Sequence, residues 1–253
     1  MKRETALKII KTNKILYNQI AKDFAETRYN VWPEFEYFKG YLHDGQAVLD
    51  LGCGNGRLLE LLKDYKVDYL GVDFSENLIR EAQRNWPDKH FKASDILELN
   101  DLKEKFDLVF CVATLHHIPS AKLREQVLVN IKNALKPDGK LLMTNWNLWQ
   151  PKYLKYIIKY TLLKLTDPDK EVNGVYMDEL DFQDVYISWQ TKYQRYIHAF
   201  TERNIASLLK KCGFEIIKNV SNKRNIITVA KLKPEVRAAE RLPATRERPK
   251  AEV

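Results

Sequence analysis

The feature that most restricts this chain is a glycine-rich turn, Asp50-Leu51-Gly52-Cys53-Gly54-Asn55-Gly56, placed directly after a short apolar run, Ala47 to Leu51. Glycines at alternate positions permit φ angles and close backbone approaches that a Cβ would block. A turn of this kind belongs between a buried strand and a helix, and the chain repeats that rhythm. Strand-like runs at Val67 to Val72, His90 to Ala93, Phe106 to Val112 and Lys140 to Asn145 alternate with helical patterns. The helices are predicted at Arg57 to Asp64, Ser75 to Asn85 and Ala121 to Leu135, with Ser75 as a cap and Pro137 as a stop.

Strands alternating with helices predict an α/β fold, a doubly wound, Rossmann-like and mostly parallel sheet of seven strands. The last two strands, Phe214 to Val220 and Ile226 to Leu232, flank Ser221-Asn222-Lys223-Arg224-Asn225. That link is too short for a helical crossover, so the terminal strand is predicted to be antiparallel. Three parts are expected. Residues 1–40 form a helical cap, with helical periodicity from Thr5 to Asn30 and an aromatic, Pro-marked end at Tyr29 to Pro33. Residues 41–233 form the main domain, interrupted at about 146–200 by an aromatic, Lys-rich insertion ahead of a helix at Glu202 to Cys212. Residues 234–253 are rich in Arg, Glu, Ala and Pro and read as a disordered tail.

Composition removes several classes. The 253 residues are 45% hydrophobic and 30% charged, as expected for a soluble globular protein. No stretch reaches the roughly 18–20 apolar residues of a membrane span, and Met1-Lys2-Arg3-Glu4 does not begin a signal peptide. Stable membrane association is not expected. Cys53, Cys111 and Cys212 are scattered, which suggests neither a disulfide framework nor a metal site and suits a reduced, cytoplasmic setting. The net charge of +8 is compatible with a nucleic-acid partner but does not require one.

In a doubly wound sheet, ligands bind beyond the carboxyl ends of the strands, where strand order reverses. A nicotinamide dinucleotide is the obvious competitor for a Gly-rich turn. Here the spacing is Gly-x-Gly-x-Gly preceded by Asp50, not Gly-x-Gly-x-x-Gly. An acid before the turn suits the cationic methionine end of S-adenosylmethionine, which has no pyrophosphate to cradle. Asp73, closing the second strand, can accept both ribose hydroxyls. Asp95 and Ile96, after the third, offer an acceptor for the adenine amine and an apolar wall. Asp50, Gly52, Gly54, Gly56, Asp73, Phe74, Asp95, Ile96 and Cys111 are therefore the expected cofactor residues, with Tyr17 closing over them.

With these residues placed, the core resembles the class I S-adenosylmethionine-dependent methyltransferases. Three further segments resemble one branch, the tRNA wobble-uridine carboxymethyl methyltransferases. The first is Tyr17-Asn18-Gln19-Ile20-Ala21-Lys22-Asp23-Phe24 with Thr27-Arg28-Tyr29-Asn30-Val31-Trp32-Pro33. The second is the paired-histidine motif Val112-Ala113-Thr114-Leu115-His116-His117-Ile118. The third runs from Trp146-Asn147-Leu148-Trp149-Gln150 through Asp184-Val185-Tyr186-Ile187-Ser188-Trp189 to Arg195-Tyr196-Ile197-His198-Ala199-Phe200. The resemblance covers about residues 15–232. Two stretches depart from it: Lys223-Arg224-Asn225-Ile226 stands where Arg-Asp-Asn and an aromatic residue are expected, and Pro151 to Gly174 has no counterpart.

The resemblance implies methyl esterification of the carboxymethyl group on C5 of the uridine at the first anticodon position. A carboxylate is already ionised at neutral pH, so the chemistry needs orientation more than a base. Arg28 is the expected grip on the acceptor, since guanidinium and carboxylate pair bidentately. His116 and His117, at the mouth after the fourth strand, are further acceptor-side candidates, and so is His198 with Arg195. Trp32, Trp146, Trp149 and Trp189 can hold a splayed base or fill the core. Lys152, Lys155 and Lys159, opposite Leu154, Ile157, Ile158 and Leu162, suit tRNA phosphates, a solvated face or a membrane-surface helix. The partner implied is tRNA; eukaryotic members also work with a small zinc-bearing activator. The same cofactor motifs also serve small-molecule O-methyltransferases of lipid, quinone or secondary metabolism.

Overall fold

The computed structural model describes residues 1–28, 32–99, 102, 104–190 and 193–234. The segment Tyr29 to Val31 and the expected tail beyond residue 234 lie outside them. Helix α1 (Arg3–Glu26) buries Ala6, Ile9, Asn13, Leu16, Tyr17, Ile20 and Ala21, the stripe that a 3.6-residue period lays on one face. It stops at Glu26, short of Asn30. Two 3-10 turns, Pro33–Tyr37 and Lys39–Tyr41, lead into the sheet.

The α/β alternation follows as β1 (Ala47–Leu51), α2 (Leu59–Leu62), β2 (Asp68–Asp73), α3 (Glu76–Asn85), β3 (His90–Ala93), β4 (Phe106–Val112), α4 (Ala121–Ala134) and β5 (Leu135–Trp146). Ser75 caps α3 by accepting from the Leu78 N–H, as its position predicts. Two boundaries differ from expectation. The helix after the glycine turn shrinks to Leu59–Leu62, because the preceding residues close i→i+3 bonds (Gly56 N–H to Cys53 O, Leu59 N–H to Gly56 O) rather than α-helical ones. Strand β5 begins at Leu135, opposite Phe106, and absorbs Pro137 in a register shift before Lys140 pairs with Leu108.

The insertion is structured. It holds α5 (Pro151–Thr166), a small hairpin of β6 (Glu171–Val172) and β7 (Val175–Tyr176), and a longer one of β8 (Asp184–Trp189) and β9 (Tyr193–His198). Tyr160, Val175, Tyr186, Tyr196 and Ile197 pack there with Ile9 of α1 into one apolar cluster. Helix α5 seats through Ile157 and Tyr160. Leu154, Ile158 and Leu162 are 39%, 51% and 53% exposed, so only Ile157 of the four apolar residues set opposite the lysines is buried. After α6 (Glu202–Lys211), β10 (Phe214–Ser221) and β11 (Asn225–Leu232) complete the sheet.

The seven strands lie in the order β10-β11-β5-β4-β1-β2-β3. Strands β1 to β5 pair in parallel, and β11 runs antiparallel to β5 and to β10. From β1 the chain moves out through β2 and β3, then returns to β4 on the other side. Strand order reverses there, between β1 and β4, and the glycine turn sits at that point. Leu49, Leu51, Val109 and Cys111 face one apolar layer, and Val48, Leu108 and Phe110 the other, the alternation a twice-covered sheet requires. Among the described residues no helix is long and apolar enough to cross a membrane.

Candidate active site

Asp50 is buried at the end of β1 and accepts a hydrogen bond from the Tyr69 hydroxyl at 3.0 Å. Burial pushes its carboxyl up to about 7, against the lowering effect of that bond. The turn that follows doubles back on β2: the N–H groups of Gly52 and Cys53 both donate to Val72 O, at 2.7 and 3.1 Å. Gly52 has φ 74°, and a Cβ there would overlap Thr114 Oγ1 and stand 2.9 Å from Thr114 Cβ. Absence of a side chain at Gly52 therefore lets the loop after β4 close onto the turn.

Asp73 ends β2 with both carboxylate oxygens committed. Oδ2 accepts from the Gly54 N–H and Oδ1 from the Ser75 N–H, each at 2.9 Å. Burial nonetheless raises its carboxyl to about 6. Asp95 turns its own loop by accepting from the Leu97 N–H at 2.9 Å. Asp50, Gly52, Gly54, Asp73, Phe74, Asp95 and Ile96 all line one cavity at the strand ends. Acids at one end, an apolar wall of Phe74, Leu78 and Ile96, and a backbone stripped of Cβ at Gly52 together fit the amino-acid, adenine and ribose parts of S-adenosylmethionine. Two expected residues lie elsewhere. Cys111 is fully buried in the core layer, where burial pushes its thiol up to about 12, and Gly56 packs its turn against Trp86 and Phe91.

The same cavity continues between α1, the loop after β4, and the insertion. Tyr17, Arg28, Trp32, His117, Trp146 and Arg195 line it. The Arg28 guanidinium lies over two rings, 4.1 Å from Phe24 and 4.3 Å from Trp189. Burial, then the nearby Arg195, lowers it to about 10. Arg57, which sequence reasoning passed over, also lines the cavity, with its guanidinium 4.8 Å from the Trp32 ring and its Nε–H donating to Arg28 O at 3.2 Å. Its one signal was position, as the first cation after the glycine turn. Thr114 was missed as well, because its contact with Gly52 joins residues 62 positions apart.

The paired histidines separate. His117 lines the cavity, and burial followed by the Arg195 charge lowers its ring to about 4, so it is neutral at physiological pH. His116 is fully buried off the cavity and accepts from the Trp146 N–H at 3.3 Å, holding that tryptophan in place. His198 does not reach the cavity either. It is bonded to the buried Asp184 at 2.7 Å, and Asp184 also accepts from Tyr196 OH at 2.6 Å, so this network ties β8 to β9. Trp149 is 41% exposed, and its indole N–H bonds Ala199 O, away from the site.

A family model described as "Methyltransferase domain" matches residues 24–219. The tRNA (carboxymethyluridine(34)-5-O)-methyltransferase of Saccharomyces cerevisiae is 33% identical over 135 residues, 53% of this chain and 48% of that one. The chain thus spans about half the length of that relative. The Schizosaccharomyces pombe protein of the same name is 26% identical over 228 residues, covering 85% of this chain and 93% of its own. Among solved structures, the Burkholderia thailandensis 1,6-didemethyltoxoflavin-N1-methyltransferase, with bound 1,6-didemethyltoxoflavin and S-adenosylhomocysteine, superposes with a TM-score of 0.63. That pair is 17% identical and covers 92% of this chain and 91% of the other, which is a likeness of fold. With a matching family model across three quarters of its length and a cavity at the switch point of its sheet whose lining suits a methyl donor, the chain belongs to the methyltransferase-domain family.

Proposed function

We propose that the chain methylates a carboxylate, that of the carboxymethyl group on a wobble uridine in tRNA. The observation that carries this reading is Arg28: a guanidinium set against two aromatic rings that shares one cavity with the donor loop and has no carboxylate partner among the described residues. The motifs around Tyr17, Arg28 and Trp146 and the printed names of the relatives point the same way.

When bound, S-adenosylmethionine supplies an electrophilic methyl group. The new O–CH3 bond forms as the S–CH3 bond breaks, the electron pair goes to sulfur, and no proton is released. The protein's work is therefore orientation and exclusion of water rather than base catalysis. Arg28 grips the acceptor, and Tyr17 and His117 close the donor side. His117 is unsuited to proton transfer at neutral pH, because both its ring nitrogens are engaged. Trp32 and Trp146 offer ring faces for a splayed base.

The test is incubation with labelled cofactor and tRNA carrying 5-carboxymethyluridine, with and without a small zinc-bearing activator of the kind the resemblance implies. The tRNA is then digested and its nucleosides are identified by mass spectrometry. Label in the methyl ester of that nucleoside is the expected result. Label confined to a small-metabolite extract, in both conditions, overturns it in favour of a small-molecule acceptor.

A further inference from the structure

A third guanidinium, besides those of Arg28 and Arg57, faces the same space. Arg195, on β9, is only 4% exposed, yet it lines the cavity. Its Cζ lies 4.9 Å from the Trp146 ring and 4.9 Å from the Trp189 ring, so two indoles adjoin it. Its Nε–H has no hydrogen-bond partner, and no acid among the described residues pairs with it. The Trp189 ring is shared, with Arg28 at 4.3 Å and Arg195 at 4.9 Å from its centroid.

This arrangement is costly on its own. A buried charge without a counter-ion is strongly unfavourable, and a second like charge nearby adds to the penalty. Arg195 depresses both Arg28 and His117, which places its field across the acceptor side. The buried Asp184, by contrast, is satisfied by His198, Tyr196 and the Asp181 N–H. Arg28 and Arg195 instead have aromatic walls, which hold a guanidinium in position without neutralising it.

We infer that Arg28 and Arg195 form a two-armed receptor for the acceptor's anionic group, and that Arg195 makes the site select a free carboxylate over its amide or its methyl ester. The inference rests on the esterification reading and gives it a specificity rule. Two arms can hold one carboxylate oxygen and the delocalised charge while the other oxygen faces the donor. The grip lowers the nucleophilicity of the carboxylate, but fixing its attack line offsets that loss. Esterification then removes the charge the receptor binds. The product is held only as a neutral acyl group beside two unpaired cations, so the chemical step itself weakens product binding.

The experiment measures binding, not turnover, with the full chain saturated with S-adenosylhomocysteine. The probes are three anticodon stem-loops carrying 5-carboxymethyluridine, 5-carbamoylmethyluridine or the carboxymethyl methyl ester at the wobble position. Wild type should bind the acid at least about 30-fold more tightly than either neutral form, as expected for charge-assisted hydrogen bonds in a desolvated site. Arg195→Met should bring that preference within about 3-fold while S-adenosylhomocysteine affinity stays unchanged and the thermal unfolding midpoint does not fall, since an uncompensated buried charge is removed. Arg195→Lys, which keeps charge and bulk but not the fork, should fall between them and serves if the methionine variant does not fold. An acid preference left intact in both variants, but lost in Arg28→Ala, removes Arg195 from the receptor and leaves the esterification reading standing. Equal binding of all three loops by wild type overturns the selectivity, whereas failure of wild type to methylate any carboxymethyl nucleoside overturns the reading on which it rests.

Discussion

The Tyr17 hydroxyl stands 3.0 Å from Nε2 of His117, and Nδ1 of the same ring stands 3.0 Å from the Tyr196 carbonyl oxygen. A carbonyl only accepts, so Nδ1 carries the proton and Nε2 accepts from Tyr17. One neutral imidazole thereby links α1 to β9 across the mouth of the cavity, with its tautomer set at both ends. The aromatic edges of Tyr17, Phe24 and Phe74 pack round this link.

Removing the hydroxyl should be felt in stability as well as in the site. Tyr17→Phe leaves a buried imidazole acceptor without a donor, a loss of about 1–3 kcal/mol. The urea midpoint should fall accordingly, with little change in the slope. An unchanged midpoint would mean that water replaces the hydroxyl.

The same ring gives the fold an acid limit. His117 titrates at about 4 in the folded chain, chiefly because it is buried, against an unfolded value near 6.5. Between those values the unfolded chain binds a proton that the folded chain refuses. The stabilisation is therefore complete above pH 6.5 and is lost as pH falls towards 4, up to about 3 kcal/mol. His116 is shifted in the same direction by its burial. Urea unfolding of wild type and His117→Gln at pH 7.5, 6 and 5 should show the variant losing less over that range. Parallel losses would assign the acid sensitivity to other groups.

Cofactor affinity should respond to Asp73 at a higher pH than it would to an ordinary surface acid. Burial holds its carboxyl at about 6, and only the ionised form can accept from two ribose hydroxyls besides the Gly54 and Ser75 N–H groups. Affinity for S-adenosylhomocysteine should be full above pH 6 and weaken as pH drops through it. Asp73→Asn should cost roughly 10- to 100-fold at pH 7.5 and flatten the profile. Calorimetric titration from pH 5 to 8 checks both.

Gly52 offers a steric test of how tightly the turn is closed. An alanine there would adopt a left-handed φ and overlap the Thr114 side chain. The expected cost is at least about 2 kcal/mol from backbone strain and overpacking. Gly52→Ala with Thr114→Ala should recover only part of it, since Thr114 Cβ is itself 2.9 Å from the added carbon and the φ penalty remains. Full recovery would show that the backbone strain is negligible.

Elements governed by local periodicity were legible in the chain. The five parallel strands, the Ser75 cap, the closing antiparallel pair and the cluster of Asp50, Asp73 and Asp95 at strand ends all follow from short-range pattern plus the right-handed α/β rule. The acceptor side was only partly legible. Arg28 and His117 line the cavity, but His116 and His198 look equivalent to them in sequence. Burial separates the four: two line the cavity, one supports Trp146 and one is bound by Asp184.

The sequence alone therefore determined the class of fold, the position of the donor turn and the types of residue around it, since these depend on spacing within a few residues. Tertiary structure decided which cations meet. Arg28 and Arg195 are 167 positions apart, and nothing local in either segment relates them. They converge because the β8–β9 hairpin packs against α1 and sets the Trp189 ring 4.3 Å from one guanidinium and 4.9 Å from the other. That packing, driven by burial of apolar surface on both elements, brings two separate arginines into one positive site with no acid partner among the described residues.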